Sequence, residues 1–467
     1  MTVADLASIA AMLVLTVGSC LVIVADLVFR PAARPLAWLG ALVGAAGAAT
    51  AALVGSGAAG FGGAVVRDPG TVFFTVLIGL VTSAALLVST ETLRRDALPA
   101  GEYVALLLFS AAGGTLMVAG GDLLVLFLGL ELLSLPLYVL TAMLRAKEHG
   151  DEGALKYFLL GAAASAVLLY GIALLYAATG TLQLAALGRA TVDPLYLAGL
   201  ALVLGGLAFK AALVPFHTWA PDAYESAPTP VTAQMAVVAK VAAFVAILRL
   251  VAATGRAPLA RVDWEVALAT VAAATLVVAT LSALGQRSVK RLLAYSSISH
   301  AGYVAVAAAA AGALAGPTVA FYLVVYAALT FGAFGVLALL PNDDPTLDDL
   351  AGLARQRPAL VGALGVFLFG LIGFPPTAGF IAKLYVFEAA ARGQLLWLVA
   401  IGALASVVSA AYYLRVLLAC FAPPRLDAVV PGRARVGTAI VVLAALAVLV
   451  FGVLPGPLLD AAQSVRF

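Results

Sequence analysis

The sequence predicts an all-α, polytopic membrane protein with about 14 transmembrane helices. Of its 467 residues, 64% are hydrophobic and only 10% are charged, whereas soluble domains carry about 25% charged residues. The mean hydropathy is +1.12. A chain with so little charge cannot cover a water-facing surface, and apolar stretches of about 20 residues recur along its whole length. These observations exclude a soluble fold.

The charge composition also argues against nucleic acid as a partner. The formal net charge is +3, and no basic run is long enough to follow a phosphate backbone. We therefore expect the lipid bilayer to be the main environment. Cys20 and Cys420 lie in apolar runs without a neighbour at metal or redox spacing. We expect both to be small core residues and predict no metal site.

Fourteen apolar stretches are candidate membrane spans, and two of them are interrupted. Pro215 breaks the seventh, which continues into a polar segment, and the Pro375–Pro376 pair breaks the overlong twelfth. In chain order, spans 1 to 14 are predicted at 7–29, 35–55, 70–90, 101–119, 121–143, 155–178, 194–214, 229–252, 263–284, 292–314, 316–340, 358–391, 394–420 and 435–458.

Lysine and arginine are concentrated in the loops that follow odd-numbered spans, which together form the odd face. These loops hold Arg30, Arg34, Arg94, Arg95, Arg145, Lys147, Arg287, Lys290, Arg291, Arg355, Arg357, Arg425, Arg433 and Arg435. Loops on the opposite, even face hold mainly Arg67, Arg189, Arg256, Arg261 and Arg392. Because cytoplasmic loops are enriched in these residues, the odd face is predicted to be cytoplasmic, with both termini outside.

Five ionisable residues lie inside the spans, where each costs a few kcal/mol unless it is paired or hydrated. They are Glu131, Lys156, Lys210, Lys240 and Lys383. One alternative is that long side chains extend to the lipid headgroups, which suits Lys156 best and Lys383 next. Another is a structural ion pair between Glu131 and one lysine, which would leave the other lysines without a partner.

A series of buried lysines with one carboxylate suits proton transfer. Burial weakens the hold of an amine on its proton, and a nearby carboxylate strengthens it, so moving one charge affects the next group. Hydroxyl and imidazole groups can link such sites. The candidate links are His217, His300, Ser134, Tyr138 and Tyr303, although a lone histidine is more often structural.

The two broken helices indicate a transporter architecture. Broken helices at membrane depth are tolerated where the freed backbone is buried or lines a wet cavity, and paired interruptions mark inverted-repeat transporters. Lys210 precedes one break and Lys383 follows the other. The predicted units are an N-terminal three-helix segment (1–100), two inverted five-helix repeats (101–252 and 263–420) and a C-terminal helix (435–467).

Five segments match motifs of one family. They are GLELLSLPLYVLTA (129–142), EGALKYFLLGA (152–162), VPFHTWAPDAYESAPTPVTA (214–233), SVKRLLAYSSISHAGY (288–303) and GFPPTAGFIAKLYVF (373–387). In this order they resemble the antiporter-like membrane subunits of respiratory complex I over about residues 68–415. Lysine rather than glutamate after PPTAGF favours the N type over the M type, and the lack of a long C-terminal lateral helix argues against the L type.

This resemblance implies a proton-translocating subunit of NADH:quinone oxidoreductase in the bacterial inner membrane. Glu131 would pair with Lys210, Lys240 would be the middle of the relay and Lys383 its terminal group, with Lys156 a further motif lysine. NADH, FMN, iron–sulfur clusters and quinone would sit on other subunits. This agrees with the absence of a glycine-rich fingerprint and a cysteine cluster from the sequence. Neighbouring antiporter-like subunits and small helical subunits would be the partners.

Two other functions remain open at this stage. The same fold and charges would serve a subunit of a cation/proton antiporter or of a related membrane-bound hydrogenase. Co-purification with iron–sulfur partners separates an antiporter from an NADH-linked complex. Alternatively, the chain is a structural membrane anchor, in which case neutralising Lys210 or Lys240 would leave turnover and pumping intact.

Overall fold

The computed structural model is 82% helical, as the sequence predicts. It describes residues 1–144, 150–189, 193–254, 264–310, 315–423 and 434–466. The first helices are α1 (Val3–Phe29), α2 (Ala33–Val54), α3 (Pro69–Arg95), α4 (Ala100–Val118), α5 (Leu123–Thr141), α6 (Gly150–Thr179), α7 (Leu184–Leu187), α8 (Pro194–Ala211), α9 (Trp219–Ser226) and α10 (Thr229–Gln234). The others are α11 (Lys240–Thr254), α12 (Trp264–Leu284), α13 (Val289–Ala309), α14 (Ala315–Ala338), α15 (Leu353–Gln356), α16 (Pro358–Ile372), α17 (Ala378–Arg392), α18 (Leu396–Ala419), α19 (Arg435–Val453) and α20 (Gly456–Gln463).

Thirteen helices in the described part of the chain are long and apolar enough to cross a membrane. One further crossing is shared by α16 and α17, each of 15 residues. A helix of that length extends about 22 Å, and the hydrocarbon core is about 30 Å thick, so neither crosses alone. The segment Asp348–Gln356, which meets α16 at 118°, is short and follows span 11. The total therefore agrees with the predicted number of spans.

Acidic caps start several of the spans. Asp68, Asp122 and Asp193 each accept a hydrogen bond from a backbone N–H in the first turn of α3, α5 and α8. Pro69 and Pro194 follow two of these caps, at a position where a missing N–H costs nothing. The caps satisfy donors that have no partner within the helix, so the chain can begin a span at these points.

Span 7 is broken, as predicted, but the break begins before Pro215. Helix α8 ends at Ala211, Ala212 is left-handed with φ +57°, and α9 begins at Trp219. Proline lacks an N–H and disfavours helical geometry in the residue before it, so the helix must end ahead of Pro215. Lys210 therefore lies in the last turn of the first half-helix.

Span 12 is broken at the predicted proline pair. Helix α16 ends at Ile372 and is followed by Gly373, whose φ of +87° is left-handed, and α17 begins after the turn that holds Pro375 and Pro376. Glycine ends a helix in this conformation without steric cost. Lys383 lies in the second turn of α17, close to the break.

Span 8 contains a feature that the sequence did not predict. Helices α10 and α11 are joined by a π-helical segment, Met235–Ala239, directly before Lys240. Such segments interrupt the regular hydrogen-bond pattern and are frequent at functional sites. This span and the neighbouring helices α13 and α14 are buried along nearly their whole length, whereas α1 and α19 are the most exposed spans. Lys240 thus lies on one of the central helices.

The even face carries a small hairpin that was also not predicted. Strands β1 (Gly57–Gly60) and β2 (Val65–Arg67) pair antiparallel. The Val66 N–H bonds the Ala119 carbonyl at 2.8 Å, which attaches the hairpin to the turn after α4. This backbone hydrogen bond holds the hairpin, which joins α2 to α3, against the end of α4.

Beside the hairpin, Arg249 near the end of α11 binds the cap of α3. Its two terminal nitrogens donate to the Asp68 carboxylate at 2.7 and 3.0 Å, and its Nε donates to the Val118 carbonyl at 2.9 Å. Bidentate pairs of this kind are the strong ones in proteins. The contact holds the helix that carries Lys240 against α3 and α4.

On the odd face, Asp343 joins three separate segments in what we call the Asp343 clamp. Its carboxylate accepts from the Thr229 N–H at 2.9 Å and from the Lys290 amine at 2.8 Å. Lys290 is fully buried and also donates to the Ala227 carbonyl at 2.6 Å. The clamp fixes the first turns of α10 and α13 relative to the chain after α14.

Several expectations are corrected or stay untested. Cys420 is buried, as predicted, whereas Cys20 is exposed on α1, so the core prediction was wrong for Cys20. The last predicted span, 435–458, is α19 (Arg435–Val453), and the short helix α20 follows it. Some of the loop residues used for the orientation lie outside the described residues: Arg145, Lys147, Arg256, Arg261, Arg425 and Arg433. The orientation and the bounds of the four predicted units stay predictions.

Candidate proton-transfer site

Lys210 is held by hydroxyl groups in the interior of the helix bundle. The side chain is only 2% exposed. Its Nζ donates to the Ser134 Oγ at 2.8 Å and to the Tyr157 OH at 3.0 Å. Ser134 lies on α5, and Tyr157 lies on α6, which packs against α8. A buried ammonium requires such hydrogen bonds, because desolvation would otherwise be very costly.

Glu131 lies one helical turn before Ser134 on α5. The residue is half-buried, and its Oε1 is buried with no hydrogen-bond partner in the described structure. Both Glu131 and Lys210 are described, yet the two are not in ion-pair contact, although they interact electrostatically. The direct pair that the resemblance implied is therefore not formed among the described residues, and Lys210 instead bonds Ser134, one turn after Glu131. A carboxylate oxygen without a partner can accept a hydrogen bond.

An aromatic wall connects the Lys210 end to the centre. Tyr157 stacks on Trp219, with ring centroids 4.5 Å apart and planes 9° apart. The Trp219 Nε1 donates to the Phe209 carbonyl at 2.9 Å, so α9 is fixed against the end of α8. Tyr224, 6.2 Å from Trp219 between centroids, interacts with Ser297 beside the central lysine. Helix α9, the second half of span 7, therefore lies between Lys210 and Lys240.

Lys240 lies at the centre and is 2% exposed. Its Nζ donates to the Ser297 carbonyl and lies 5.9 Å from the Tyr326 ring centroid. The Tyr326 OH bonds the Ser297 Oγ at 2.7 Å and donates to the Ala236 carbonyl, within the π segment, at 3.0 Å. The Tyr326 hydroxyl therefore contacts both the π segment before Lys240 and Ser297, the residue whose carbonyl binds the Lys240 amine.

His300 lies between Lys240 and Lys383 and interacts electrostatically with both. It is 4% exposed, and its Nδ1 bonds the Tyr322 OH at 2.7 Å. Of the two predicted histidine links, this one lies among the lysines. An imidazole that is hydrogen-bonded to a phenol can accept a proton on one side and release one on the other.

Lys383 ends the line and uses the break in span 12. Its Nζ donates to the carbonyls of Leu371 and Ile372, both at 2.9 Å, and to the Ser406 Oγ at 2.8 Å. The two carbonyls close α16, where helical C=O groups lack partners and the helix dipole is negative. The amine also lies 4.5 Å from the centroid of the Tyr303 ring. Lys383 is 5% exposed, so it does not extend to the headgroups.

Two predicted site residues lie away from this line. Lys156 is 46% exposed and pairs with Glu152 at 2.7 Å and Asp222 at 3.1 Å, near the odd face. His217 lies half-buried in the turn between α8 and α9, with an Nδ1 that has no partner among the described residues. Among the described contacts, none joins His217 to Lys210 or Glu131.

The other residues predicted as links lie beside the lysines, and their role in proton transfer stays a prediction. Ser134 bonds Lys210, Tyr303 faces Lys383, and the Tyr138 ring lies 5.9 Å from the Lys210 amine. The sequence did not single out the remaining hydroxyl groups: Tyr157, Tyr224, Ser297, Tyr322, Tyr326 and Ser406. Ser297 belongs to the polar run Ser296–His300 inside an otherwise apolar span. That run was the signal that could have found it.

Together, a line of buried amines, hydroxyls and one imidazole between two broken helices defines a membrane protein that moves protons or cations. Comparison with known proteins agrees with this class. Residues 120–409 match the family described as NADH:quinone oxidoreductase/Mrp antiporter, transmembrane. The chain belongs to this family.

Curated relatives indicate the branch of the family. NADH-quinone oxidoreductase subunit N of Trichlorobacter lovleyi is 41% identical over 443 residues, which are 92% of this chain and 90% of the relative. The protein of the same name from Salinibacter ruber is 43% identical over 417 residues, 85% of this chain and 82% of the relative. Both alignments include the whole line of lysines by their extent.

Solved structures share the fold. A chain of respiratory complex I from Thermus thermophilus with bound aureothin matches with a TM-score of 0.84 at 38% identity, covering 98% of this chain and 100% of that one. A chain of the archaeal membrane-bound sulfane sulfur reductase has a TM-score of 0.88 at 27% identity, with 98% and 96% covered. A chain of the Mrp complex from Dietzia has a TM-score of 0.84 at 25% identity, with the same coverage.

Proposed function

We propose that the chain is the N-type proton-translocating membrane subunit of an NADH:quinone oxidoreductase. The observation that carries this proposal is the buried line from Glu131 through Lys210, Lys240 and His300 to Lys383. Buried ionisable groups in a membrane protein mark ion pathways. The identity of 41% to a curated subunit N favours this branch over the Mrp and sulfane sulfur reductase branches, which match at 25% and 27%.

In this proposal the electrostatic signal starts at Glu131. A carboxylate that moves toward Lys210 favours its charged form, and one that moves away favours release of a proton. The hydroxyls of Ser134 and Tyr157 hold the Lys210 amine in either state, because an oxygen can accept from NH₃⁺ or donate to NH₂. Lys210 can therefore change charge without leaving its ligands.

The central lysine passes the signal on. The charge state of Lys210 acts on Lys240 by way of Tyr157 and Tyr224, which interact electrostatically, and of Ser297, which contacts Tyr224 and binds the Lys240 amine. Charge on Lys240 in turn repels charge on His300, and His300 acts on Lys383 in the same way. At low dielectric such interactions are strong, so each group responds to its neighbour.

The rest of the assignment follows the family. The odd face would be cytoplasmic, both termini would lie outside, and the membrane would be the bacterial inner membrane. NADH, FMN, iron–sulfur clusters and a quinone would be held by other subunits. Neighbouring antiporter-like and small helical subunits would cover the exposed sides of α1, α6 and α19.

Replacing Lys240 tests the proposal most directly. Lys240→Met removes the charge at similar volume, and Lys240→Arg keeps a charge that is not released at physiological pH. We expect both variants to lower NADH:quinone turnover and proton uptake together, by about a hundredfold, the low end for loss of a proton-transferring group. The assay uses inside-out membrane vesicles that contain the assembled complex.

Controls separate this loss from failed assembly. NADH oxidation by a water-soluble artificial acceptor reports how much complex is present, because it bypasses the quinone step. If Lys240→Arg retains both activities, a fixed charge suffices and Lys240 is not a relay member. If both variants retain wild-type pumping, the structural-anchor function is correct. If the purified chain carries no NADH-oxidising subunits, the chain serves an antiporter.

A further inference from the structure

A groove opens toward the odd face between α1, α4 and α5. Its volume is about 990 Å³, at the upper end of the roughly 300–1,000 Å³ that ligand pockets have. Apolar side chains form most of its lining, among them Ile23 on α1, Leu106 and Phe109 on α4, and Val139 and Met143. None of the described lining residues belongs to the lysine line, so the groove is separate from the candidate proton-transfer site.

The groove extends through only one half of the bilayer. From Ala100, at the odd end of α4, to Phe109, which is the last residue of that helix in the lining, the helix rises about 14 Å. The lining residues Ile23 and Val139 also lie near the odd ends of α1 and α5. The hydrocarbon core is about 30 Å thick, so one leaflet is about 15 Å deep. The groove therefore has the depth of one leaflet.

The rim of the groove at the odd face is acidic. Glu102 lines it from the first turn of α4, on the same side of the helix as Leu106 and Phe109. Asp96 also lines it, but the Arg95 guanidinium binds both of its oxygens, at 2.8 and 2.7 Å. The Glu102 side chain is exposed and has no hydrogen-bond or ion-pair partner among the described contacts. Its charge is therefore available to a ligand.

A second carboxylate, that of Asp26, lies at the same rim. Asp26 packs against Gly101, the residue before Glu102, because a Cβ on Gly101 would lie 2.7 Å from the Asp26 Cγ. Asp26 is half-buried, and its carboxylate has no partner in the described part of the chain. The helix dipole favours a negative charge at the start of α4 but disfavours Asp26 in the last turn of α1. Helix stability thus does not account for Asp26, whereas a bound cation would offset both charges.

We propose that this groove binds a phospholipid whose headgroup carries a primary ammonium, as in phosphatidylethanolamine. An acyl chain would lie along Leu106 and Phe109, and the ammonium would donate to the carboxylates of Glu102 and Asp26. A primary ammonium has three N–H donors, as in lysine, so it can bridge two carboxylates. The exposed Arg30, which ends α1, offers a positive charge for the phosphate. This site is independent of the proposed proton-translocating function.

Other occupants fit the groove less well. A transmembrane helix of a neighbouring subunit would need a groove through both leaflets, because it spans the whole hydrocarbon core. An anionic headgroup, as in phosphatidylglycerol, would place a negative charge beside two unpaired carboxylates, and like charges repel. Phosphatidylcholine is zwitterionic but has no N–H to donate. The rim therefore predicts selectivity for one headgroup, which a general lipid coat around the protein would not show.

Photo-crosslinking lipids test the site in the assembled complex. The purified complex is reconstituted into phosphatidylcholine vesicles that contain a small fraction of a probe lipid with a photoreactive acyl chain. Three probes differ only in the headgroup: ethanolamine, choline and glycerol. Mass spectrometry then measures labelling within 97–109 and 139–144. We expect about threefold more labelling by the ethanolamine probe than by the glycerol probe, within the range for a solvent-accessible ion pair.

Variants of the rim and of the groove make the test specific. Glu102→Gln combined with Asp26→Asn removes both charges at similar volume and should abolish the preference for the ethanolamine probe. Glu91→Gln is the control, because it removes a carboxylate of α3 that pairs with Arg94 outside the groove, and the preference should remain. Ala142→Trp fills the groove from an exposed lining position and should reduce labelling by all three probes. NADH oxidation by a water-soluble acceptor verifies that each variant assembles.

Three results would overturn the lipid site. The first is equal labelling of the wild-type groove by all three probes, and the second is an unchanged preference in the variant that lacks both carboxylates. The third is a wild-type groove that no probe labels while other parts of the complex are labelled, which would show that a neighbouring subunit covers it. Because the readout is labelling and not pumping, each of these results leaves the proposed function to its own test at Lys240.

Discussion

Neutral groups, not carboxylates, hold the three central lysines in the described structure. Lys210 is bound by two hydroxyls, Lys240 by a carbonyl, and Lys383 by two carbonyls and a hydroxyl. A buried ion pair gains its energy only while both partners are charged, so losing one charge is strongly destabilising. Oxygen ligands bind the amine whether or not it carries the extra proton. The residue-level geometry therefore suits groups that change charge repeatedly.

Removing a single hydroxyl from Lys210 tests this view. Ser134→Ala leaves the buried ammonium with one acceptor fewer, which costs roughly 1–3 kcal/mol. We expect NADH:quinone turnover to fall about tenfold, which corresponds to about 1.4 kcal/mol. Ser110→Ala is the matched control, because the Ser110 hydroxyl is buried and has no partner among the described residues. Equal activity of the two variants would show that Ser134 does not matter to Lys210.

At the scale of the element, each broken helix carries a lysine close to its break. In span 12 the break at Gly373 leaves the last carbonyls of α16 free, and Lys383 occupies them. In span 7 the break after Ala211 lets α9 turn its aromatic residues toward the centre. Both spans are broken beside a lysine, but only Lys383 binds the carbonyls that its break leaves free.

Replacing Gly373 tests the role of the break in span 12. An alanine there would adopt a left-handed backbone, at a cost of about 1–2 kcal/mol, and its Cβ would lie 2.8 Å from the Lys383 Cδ. We expect Gly373→Ala to lower both the thermal stability of the complex and its coupled turnover. The measurement is the unfolding temperature of the purified complex together with proton uptake.

Gly362 supplies the control in the same half-helix. A Cβ at Gly362 would meet no atom within 4 Å. Alanine is favoured over glycine within a helix by roughly 0.5–1 kcal/mol, so Gly362→Ala should be neutral or stabilising. A stable, fully active Gly373→Ala variant would contradict the role assigned to the break.

Hydropathy and proline positions were enough to predict the membrane spans and their breaks, but not the contacts between them. The spans, both breaks and the buried lysines follow from residue type and order alone. The partners of the lysines depend on how each helix is rotated, as with Ser297, which turns its carbonyl to Lys240 and its hydroxyl to Tyr326. The π segment before Lys240 and the hairpin at 57–67 depend on tertiary contacts. No local sequence pattern predicts either of them.

At the scale of the whole molecule, contacts at the two faces hold span 8 in place. Arg249 ties the lysine-bearing span 8 to α3 and α4 on the even face. The Asp343 clamp ties the start of the same span to α13 on the odd face. Span 8 is thus fixed at both ends, while the π segment lies between them. Movement in span 8 is expected to be concentrated at that segment.

The Asp343 clamp gives a prediction at this scale. Asp343→Ala leaves the fully buried Lys290 charge without its carboxylate, and breaking a buried pair costs about 3–5 kcal/mol. We expect a clear fall in the unfolding temperature of the purified complex and weaker retention of this subunit in detergent. Glu388→Ala is the control, because it removes an exposed pair with Arg392, and such pairs contribute only about 0–1 kcal/mol. Similar losses in both variants would show that the clamp contributes no more to stability than an exposed ion pair.

The contact of Lys383 with the end of α16 affects how a non-pumping version of this subunit could be engineered. Because the amine satisfies two backbone carbonyls, any neutral replacement at 383 removes a helix cap as well as a titrating group. A phenotype at that position would mix misassembly with lost conduction. Lys240 binds a single carbonyl, that of Ser297 within the unbroken helix α13. A neutral residue at 240 would therefore remove the titrating group without removing a helix cap.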